Sequence, residues 1–214
     1  MRRPSKTALL ISIAMVAVLI VLTVRRVCGP ARRVSTAELL ETARTGDLIL
    51  FRNETRPWYY LAALPMTHIG VVIRYGGKPF ILEMHQLDDA PPGYPNLDGP
   101  HVYPLEARIA ESFNGGPWRL FHAPYKGPAP TADVAWAFPP EYIPYNYNYI
   151  KDELRCHALA RIPRVSLDKM HCANYASLVL KKLGIAPPDS RIDCVVPMDV
   201  LNFARYGALQ RVVR

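Results

Sequence analysis

The sequence predicts an α+β protein in which a small antiparallel sheet packs against helices, preceded by one N-terminal transmembrane helix. Three observations predict it: an uncharged apolar run near the N-terminus, a β-hairpin pattern in the first half, and apolar residues at helical spacing in the last third. The chain has 214 residues, 50% of them apolar, which suffices for one sizeable core and an appended segment. We therefore expect an anchor at residues 1–34 and one domain at residues 35–214.

The apolar run at residues 8–24 carries no charge. Its 17 residues would cover about 25 Å as a helix, the short end of what a bilayer requires. A cleaved signal peptide is the alternative, but Arg25 and Arg26 stand where small residues would form the cleavage site. We therefore predict a single-pass membrane protein with an uncleaved anchor. Basic residues flank the run on both sides, so charge leaves the side on which the domain lies undecided.

The elements of the domain follow from turn and capping signals. Ser35 or Thr36 is suited to cap a short helix that ends before Gly46. Gly76-Gly77 predicts the turn of a β-hairpin. Segments rich in proline at residues 88–99 and 124–144 are predicted to be surface loops that could form a substrate groove. Strands are predicted at residues 47–51, 68–75, 79–85, 102–105 and 118–122, and further helices at about residues 169–183 and 197–206.

Cys172 falls in the first turn of the predicted helix at residues 169–183. A thiol there lies near the positive end of the helix dipole and near unpaired backbone N–H groups, which favour the thiolate. The same N–H groups can receive a developing oxyanion, so the position suits a nucleophile. The alternative is a buried structural cysteine. Cys156, Cys172 and Cys194 form no CxxC pair, which argues against a zinc site and a complete disulfide framework, and we expect no metal and no cofactor.

His68 opens one strand of the hairpin, and the returning strand carries Glu83 and His85. A two-residue turn would place His68 directly opposite His85 and diagonal to Glu83, with all three on one face. A one-residue bulge would reverse that placement. A carboxylate that accepts from one ring nitrogen would leave the other nitrogen to take the proton of a thiol. We therefore predict Glu83, in preference to His85, as the partner of His68.

At these residues the chain resembles the permuted papain-like family related to the NlpC cell-wall peptidases, in particular its YiiX-like and lecithin retinol acyltransferase-like branches. In that family the histidine strand precedes the cysteine helix, as it does here. The resemblance implies that Cys172 is the nucleophile, His68 the base and Glu83 the residue that orients it. Many relatives have Ser or Thr directly after the cysteine, where this chain has Ala173. The matching segments are residues 45–51, 67–73, 80–83, 171–175 and 183–185.

Weaker similarities at residues 144–147 and 196–201 extend the resemblance, and Tyr145 and His171 are the predicted substrate-binding residues. The resemblance implies a permuted papain-like fold and a membrane-anchored cysteine hydrolase that cleaves an amide, peptide or isopeptide bond through a thioester. Two alternatives stay open: a lipid acyltransferase or phospholipase with the same site, and a non-catalytic, membrane-tethered binding module. The expected partners are a peptide, amide-linked or lipid substrate and a membrane, but no nucleic acid. The oligomeric state is left open.

Overall fold

The computed structural model describes residues 32–55, 66–86, 90–95, 97–114, 118–130, 170–190 and 195–214. Over these residues the fold is mixed α/β, with one seven-stranded sheet and three α-helices. The strands are β1 (Arg32–Ser35), β2 (Leu48–Asn53), β3 (His68–Tyr75), β4 (Lys78–His85), β5 (Gly99–Pro104), β6 (Trp118–Ala123) and β7 (Gln210–Val213). The helices are α1 (Thr36–Thr42), α2 (Leu105–Asn114) and α3 (Cys172–Lys182), with a short 3-10 helix at Asp199–Asn202.

The sheet is larger than the sequence predicts. Its strand order is β1-β7-β6-β2-β3-β4-β5, and the neighbouring strands are antiparallel except for the parallel pair β1 and β7. Strands β1 and β7 escaped prediction because each has four residues and pairs with a segment far away in the chain. The prediction of a small antiparallel sheet is therefore correct for β2 to β5 but incomplete for the whole.

The hairpin of β3 and β4 has the predicted register. Gly76 and Gly77 have φ angles of 57° and 79°, the left-handed conformation that a type I′ turn needs at both central positions. Tyr75 then pairs with Lys78, and the ladder continues without a bulge to the pair of Gly70 and Glu83. The prediction that His68, Glu83 and His85 share one face is confirmed by this register.

The sheet is buried on both faces. Helix α3 packs with Leu50, Val71 and Leu82 on one face, whereas helices α1 and α2 pack on the other with residues such as Val72 and Ile81. Because successive side chains of a strand point to opposite faces, a strand covered on both sides is apolar throughout. This explains the continuous apolar runs of β2 and β3, and it makes the sheet a middle layer between helices.

Two helical segments differ from the predictions. Helix α2 begins where a strand was predicted to end, and its buried residues Leu105, Ile109 and Ser112 recur at helical spacing. The helix predicted at residues 197–206 is only the 3-10 helix Asp199–Asn202. The chain becomes extended at Tyr206, which forms a β-bridge with Tyr125. This backbone pairing ends the helical segment.

Other elements agree with the predictions within a few residues. Ser35 caps α1, and its hydroxyl accepts from the Glu38 N–H at 3.1 Å. Gly184, with a φ angle of 69°, follows the end of α3. The predicted loops are irregular at residues 90–95 and 97–98, and at residues 124–130 apart from the bridge at Tyr125. The rest of the predicted proline-rich loops lies outside the described residues.

The predicted single-pass membrane localisation is contradicted. Within the described ranges, no helix is long and apolar enough to cross a membrane. Helix α3, the longest of those described, has 11 residues and ends on Lys181 and Lys182. Such a helix is about 17 Å long, whereas the hydrocarbon core of a bilayer is about 30 Å thick. The apolar run at residues 8–24, on which the prediction depended, lies outside the described residues.

Candidate active site

His68 stands at the start of β3 and contacts groups on two sides. Its Nε2 lies 2.7 Å from the Glu83 Oε2, and its ring is close enough to Cys172 for each group to shift the pKa of the other. Since Nε2 faces the carboxylate, Nδ1 is the ring nitrogen that remains for another partner. The Phe51 ring contacts the imidazole edge-on, with 5.1 Å between ring centroids. The imidazole is therefore held between a thiol and a carboxylate, and 13% of its side chain is exposed.

Cys172 is the first residue of α3 and is buried, with 4% exposure. His171 caps the helix: its Nδ1 accepts from the Ala173 N–H at 3.3 Å, and its own N–H donates to the Asn174 Oδ1 at 3.3 Å. The helix lies on one face of the sheet, whereas His68 points to the other by strand alternation. The two side chains interact at the start of β3.

Glu83 lies in β4 and is fully buried. Positively charged or protonatable side chains surround its carboxylate. Its Oε2 faces His68, and its Oε1 accepts from the Arg108 Nε at 2.7 Å. The His85 Nε2 lies 2.9 Å from the same Oε1. However, the ring is not oriented for a hydrogen bond, and neither of its nitrogens has a hydrogen-bond partner among the described residues. The contact between His85 and Glu83 is therefore electrostatic.

The charges of this group follow from its neighbours. Burial alone would raise the pKa of Glu83, but Arg108, followed by His85 and His68, holds that pKa well below its usual range. Burial lowers the pKa of His85. The charge of Glu83 raises that pKa, whereas the positive charges of Arg108 and His68 lower it further. At neutral pH the site therefore contains an ionised Glu83 and a neutral His85.

Cys172 and His68 shift each other's ionisation. Burial opposes the imidazolium, yet the hydrogen bonds and charges of Cys172 and Glu83 raise the pKa of His68 to about 10. Burial likewise opposes the thiolate, but hydrogen bonds from His171 and His68, together with their charges, lower the pKa of Cys172 to about 6. Between these two values the pair is a thiolate and an imidazolium. That is the reactive form of a cysteine nucleophile.

The structure places most of the predicted site residues. Cys172, His68 and Glu83 come together. Glu83 is the direct partner of His68. The His85 ring lies beside His68, with 5.6 Å between the two ring centroids. His171 lies next to the thiol as the helix cap and is 3% exposed. Tyr145 lies outside the described residues. The catalytic roles themselves stay predictions.

Arg108 is the site residue that the sequence analysis missed. It lies on the buried face of α2, three residues after Leu105 and four before Ser112. Recognition of α2 as an amphipathic helix would have placed a charged residue among buried positions. A buried arginine requires a partner, so that spacing was the available signal.

His68, Glu83 and His85 also satisfy the distance requirement for a metal site, because their ligand atoms lie within 4.8 Å of one another. Their charge state does not suit one. The Arg108 guanidinium is bound to Glu83, and a histidine must be neutral to coordinate a metal, whereas His68 is held as an imidazolium. These three residues are better described as part of an ion-pair network.

No protein-family model matches this chain, and no curated protein matches it. The interpretation of the site therefore depends on its own geometry and chemistry.

Proposed function

We propose that this protein is a cysteine hydrolase that cleaves an amide, peptide or isopeptide bond through a thioester on Cys172. The observation that carries the proposal is the position of His68, which interacts with a cysteine at a helix N-terminus and has its Nε2 2.7 Å from a buried carboxylate oxygen. A buried structural cysteine needs neither partner. A nucleophile needs both, because the base must be close to the sulfur and fixed in orientation.

In the first half of the reaction the Cys172 thiolate attacks the carbonyl carbon of the substrate, and an S–C bond forms. Helix α3 begins at this point, and the charge on the carbonyl oxygen develops near the positive end of the helix. The His68 imidazolium then gives its proton to the leaving nitrogen as the C–N bond breaks. The amine departs, and a thioester remains on Cys172.

In the second half a water molecule attacks the thioester, and His68, now neutral, accepts a proton from that water. The C–S bond breaks, the acid is released, and the thiolate and imidazolium are restored. Throughout, Glu83 accepts the Nε2–H of His68 and keeps the ring in one orientation. Glu83 takes no part in bond making.

The order of the elements supports a permuted papain-like arrangement for the domain. The histidine strand β3 belongs to an antiparallel group, β2 to β5, and precedes the cysteine helix α3, which packs across that group. We propose this fold family on those grounds. A crystal structure in which the Cys172 sulfur does not face the His68 ring would contradict it.

The ionisation of Cys172 tests the pair without a known substrate. We expect the rate of alkylation by iodoacetamide to rise with pH through a midpoint of about 6, because His171 and His68 stabilise the thiolate. His68→Ala removes one of those partners and should move the midpoint upward, toward the usual range of a thiol. His101→Ala, which changes a histidine of β5, is the matched control and should leave the midpoint in place.

The acyl intermediate tests the class of substrate. Wild-type protein would be incubated with a cell extract, quenched in acid and measured by intact-mass spectrometry, with Cys172→Ala as the control. A peptide or amino-acyl mass on Cys172 is the expected result. A fatty acyl mass would instead favour lipid acyl transfer, and an alkylation midpoint near that of an ordinary thiol would contradict the nucleophile itself.

Turnover should fall as pH drops below about 6, where Cys172 is protonated, and as it rises above about 10, where His68 loses its proton.

A further inference from the structure

Arg108 is a buried cation of the site that makes no bond in the proposed reaction. It is 4% exposed, and its Nε donates to the Glu83 Oε1 at 2.7 Å. Its Nη1 donates to the Ser112 Oγ at 3.2 Å and to the Glu111 carboxylate. The guanidinium also lies over the Phe51 ring, with its Cζ 4.6 Å from the centroid. Arg108 is thus fixed by a hydrogen bond to the site, by its own helix, and by an aromatic ring.

A fully buried carboxylate such as Glu83 needs a compensating cation. The desolvation of an ion is unfavourable, so an uncompensated carboxylate takes up a proton instead. A protonated Glu83 would no longer favour an imidazolium at His68. Burial raises the pKa of Glu83, and among the groups that lower it Arg108 makes the largest contribution. An arginine stays charged at any pH below about 12.

We propose that Arg108 is a positioning residue of the active site, which holds Glu83 ionised and directed at His68, and through His68 stabilises the Cys172 thiolate. The inference rests on the proposed function, because it assigns Arg108 to the same cysteine site. The four side chains form a row of alternating charge, from Arg108 through Glu83 and His68 to Cys172. Loss of the Arg108 charge lets Glu83 take up a proton, and a neutral Glu83 no longer stabilises the imidazolium beside the thiolate.

The other groups near Glu83 do not replace Arg108. His85 is held neutral by burial. His101 of β5 lies opposite Glu83 in the sheet, but its Nε2 is 2.7 Å from the Leu97 carbonyl oxygen. Among the described residues that contact the Glu83 carboxylate, Arg108 is therefore the one whose positive charge does not depend on pH. At the other end of the row, His171 also stabilises Cys172, so a part of the thiolate's stability is independent of Arg108.

The test compares Arg108→Met with Arg108→Lys in the full-length protein. The measurements are the pH midpoint of Cys172 alkylation and the pKa of His68, followed by the NMR signals of its ring nitrogens. Arg108→Met should raise the Cys172 midpoint and lower the pKa of His68, because Glu83 then takes up a proton and no longer stabilises the imidazolium beside the thiolate. Arg108→Lys keeps the cation and should stay close to wild type.

Arg74→Met is the matched control. Arg74 is an arginine of β3 on the same face as His68 but at the far end of the strand, and its Nη2 donates to the Leu40 carbonyl oxygen at 2.9 Å. Its replacement should leave both titrations unchanged. If Arg108→Met does not fold, Arg108→Gln removes the charge, keeps N–H donors, and carries the same expectation.

The outcomes separate this inference from the proposed function. A wild-type midpoint near 6 with an unchanged midpoint in folded Arg108→Met or Arg108→Gln would overturn the role of Arg108 and leave the nucleophile intact. A wild-type midpoint in the ordinary range of a thiol would overturn the proposed function, and the role of Arg108 with it. An upward shift that Arg108→Lys reverses and Arg74→Met does not reproduce supports both.

Discussion

At the scale of single residues, His171 combines two effects next to the thiol. Its Nδ1 accepts from the Ala173 N–H, which leaves Nε2 as the ring nitrogen that can donate. Its hydrogen bond is the largest of the interactions that lower the pKa of Cys172 against burial. The same imidazole therefore closes the helix end and stabilises the thiolate.

His171→Ala should remove both effects. We expect the free energy of unfolding to fall by about 1 kcal/mol from the lost cap and the Cys172 alkylation midpoint to rise above 6. His171→Asn separates them, because asparagine is a good cap but offers no imidazole. This control should recover the stability in urea unfolding without recovery of the midpoint. If Asn recovered both, the imidazole would have no role in the ionisation of Cys172.

At the scale of elements, the turn between β3 and β4 sets the geometry of the site. Gly76 and Gly77 hold left-handed φ angles of 57° and 79°, and this two-residue connection fixes which residues of the strands are opposite one another. A slip of one residue would move Glu83 to the other face of the sheet, away from His68. The hairpin is thus the element that joins the base to its carboxylate.

Gly76→Val tests the turn. A Cβ at Gly76 would meet no described atom within 4 Å, so the expected loss of about 1–2 kcal/mol in the free energy of unfolding would come from the left-handed backbone alone. Gly76→Asn is the matched control, since asparagine is favoured at this position of a type I′ turn. Thermal unfolding of the two variants measures the difference. Equal stability would contradict the backbone strain.

At the scale of the whole molecule, Asp47 joins distant parts of the chain away from the active site. It is buried, its Oδ2 accepts from the Arg44 N–H at 2.9 Å and faces the His122 Nε2 at 2.8 Å, and its Oδ1 accepts from the Tyr125 N–H at 2.7 Å. The other ring nitrogen of His122 lies 3.1 Å from the Gln210 Oε1 in β7. This network connects the start of β2 with β6, the segment that follows β6, and the C-terminal strand.

Asp47→Asn should destabilise the whole domain without a change at the active site. The amide keeps the shape but loses the charge and one acceptor, so we expect the free energy of unfolding to fall by about 2–3 kcal/mol. Asp199→Asn, whose side chain accepts from the Val196 N–H at 3.0 Å in a partly exposed position, should cost less. Urea unfolding measures both. A shift of the Cys172 alkylation midpoint in Asp47→Asn would show that the two networks are linked.

The sequence by itself determined the features that neighbouring residues control. The hairpin register followed from two glycines, the position of Cys172 from the start of an apolar helix, and the burial of β2 and β3 from their apolar composition. Turns, caps and side-chain alternation act over a few residues, so they can be recognised before the chain folds. The preference for Glu83 over His85 depended on the same local geometry.

Tertiary structure alone decided what joins distant segments. Arg108 reaches Glu83 only because α2 packs on that face of the sheet, and Cys172 meets His68 only because α3 packs on the other. The parallel pairing of β1 with β7 likewise has no local signal. Such contacts depend on how helices and strands pack, and no short pattern specifies that. The ionisation of Cys172 belongs to this second group, because it is set by charges that the folded chain brings together.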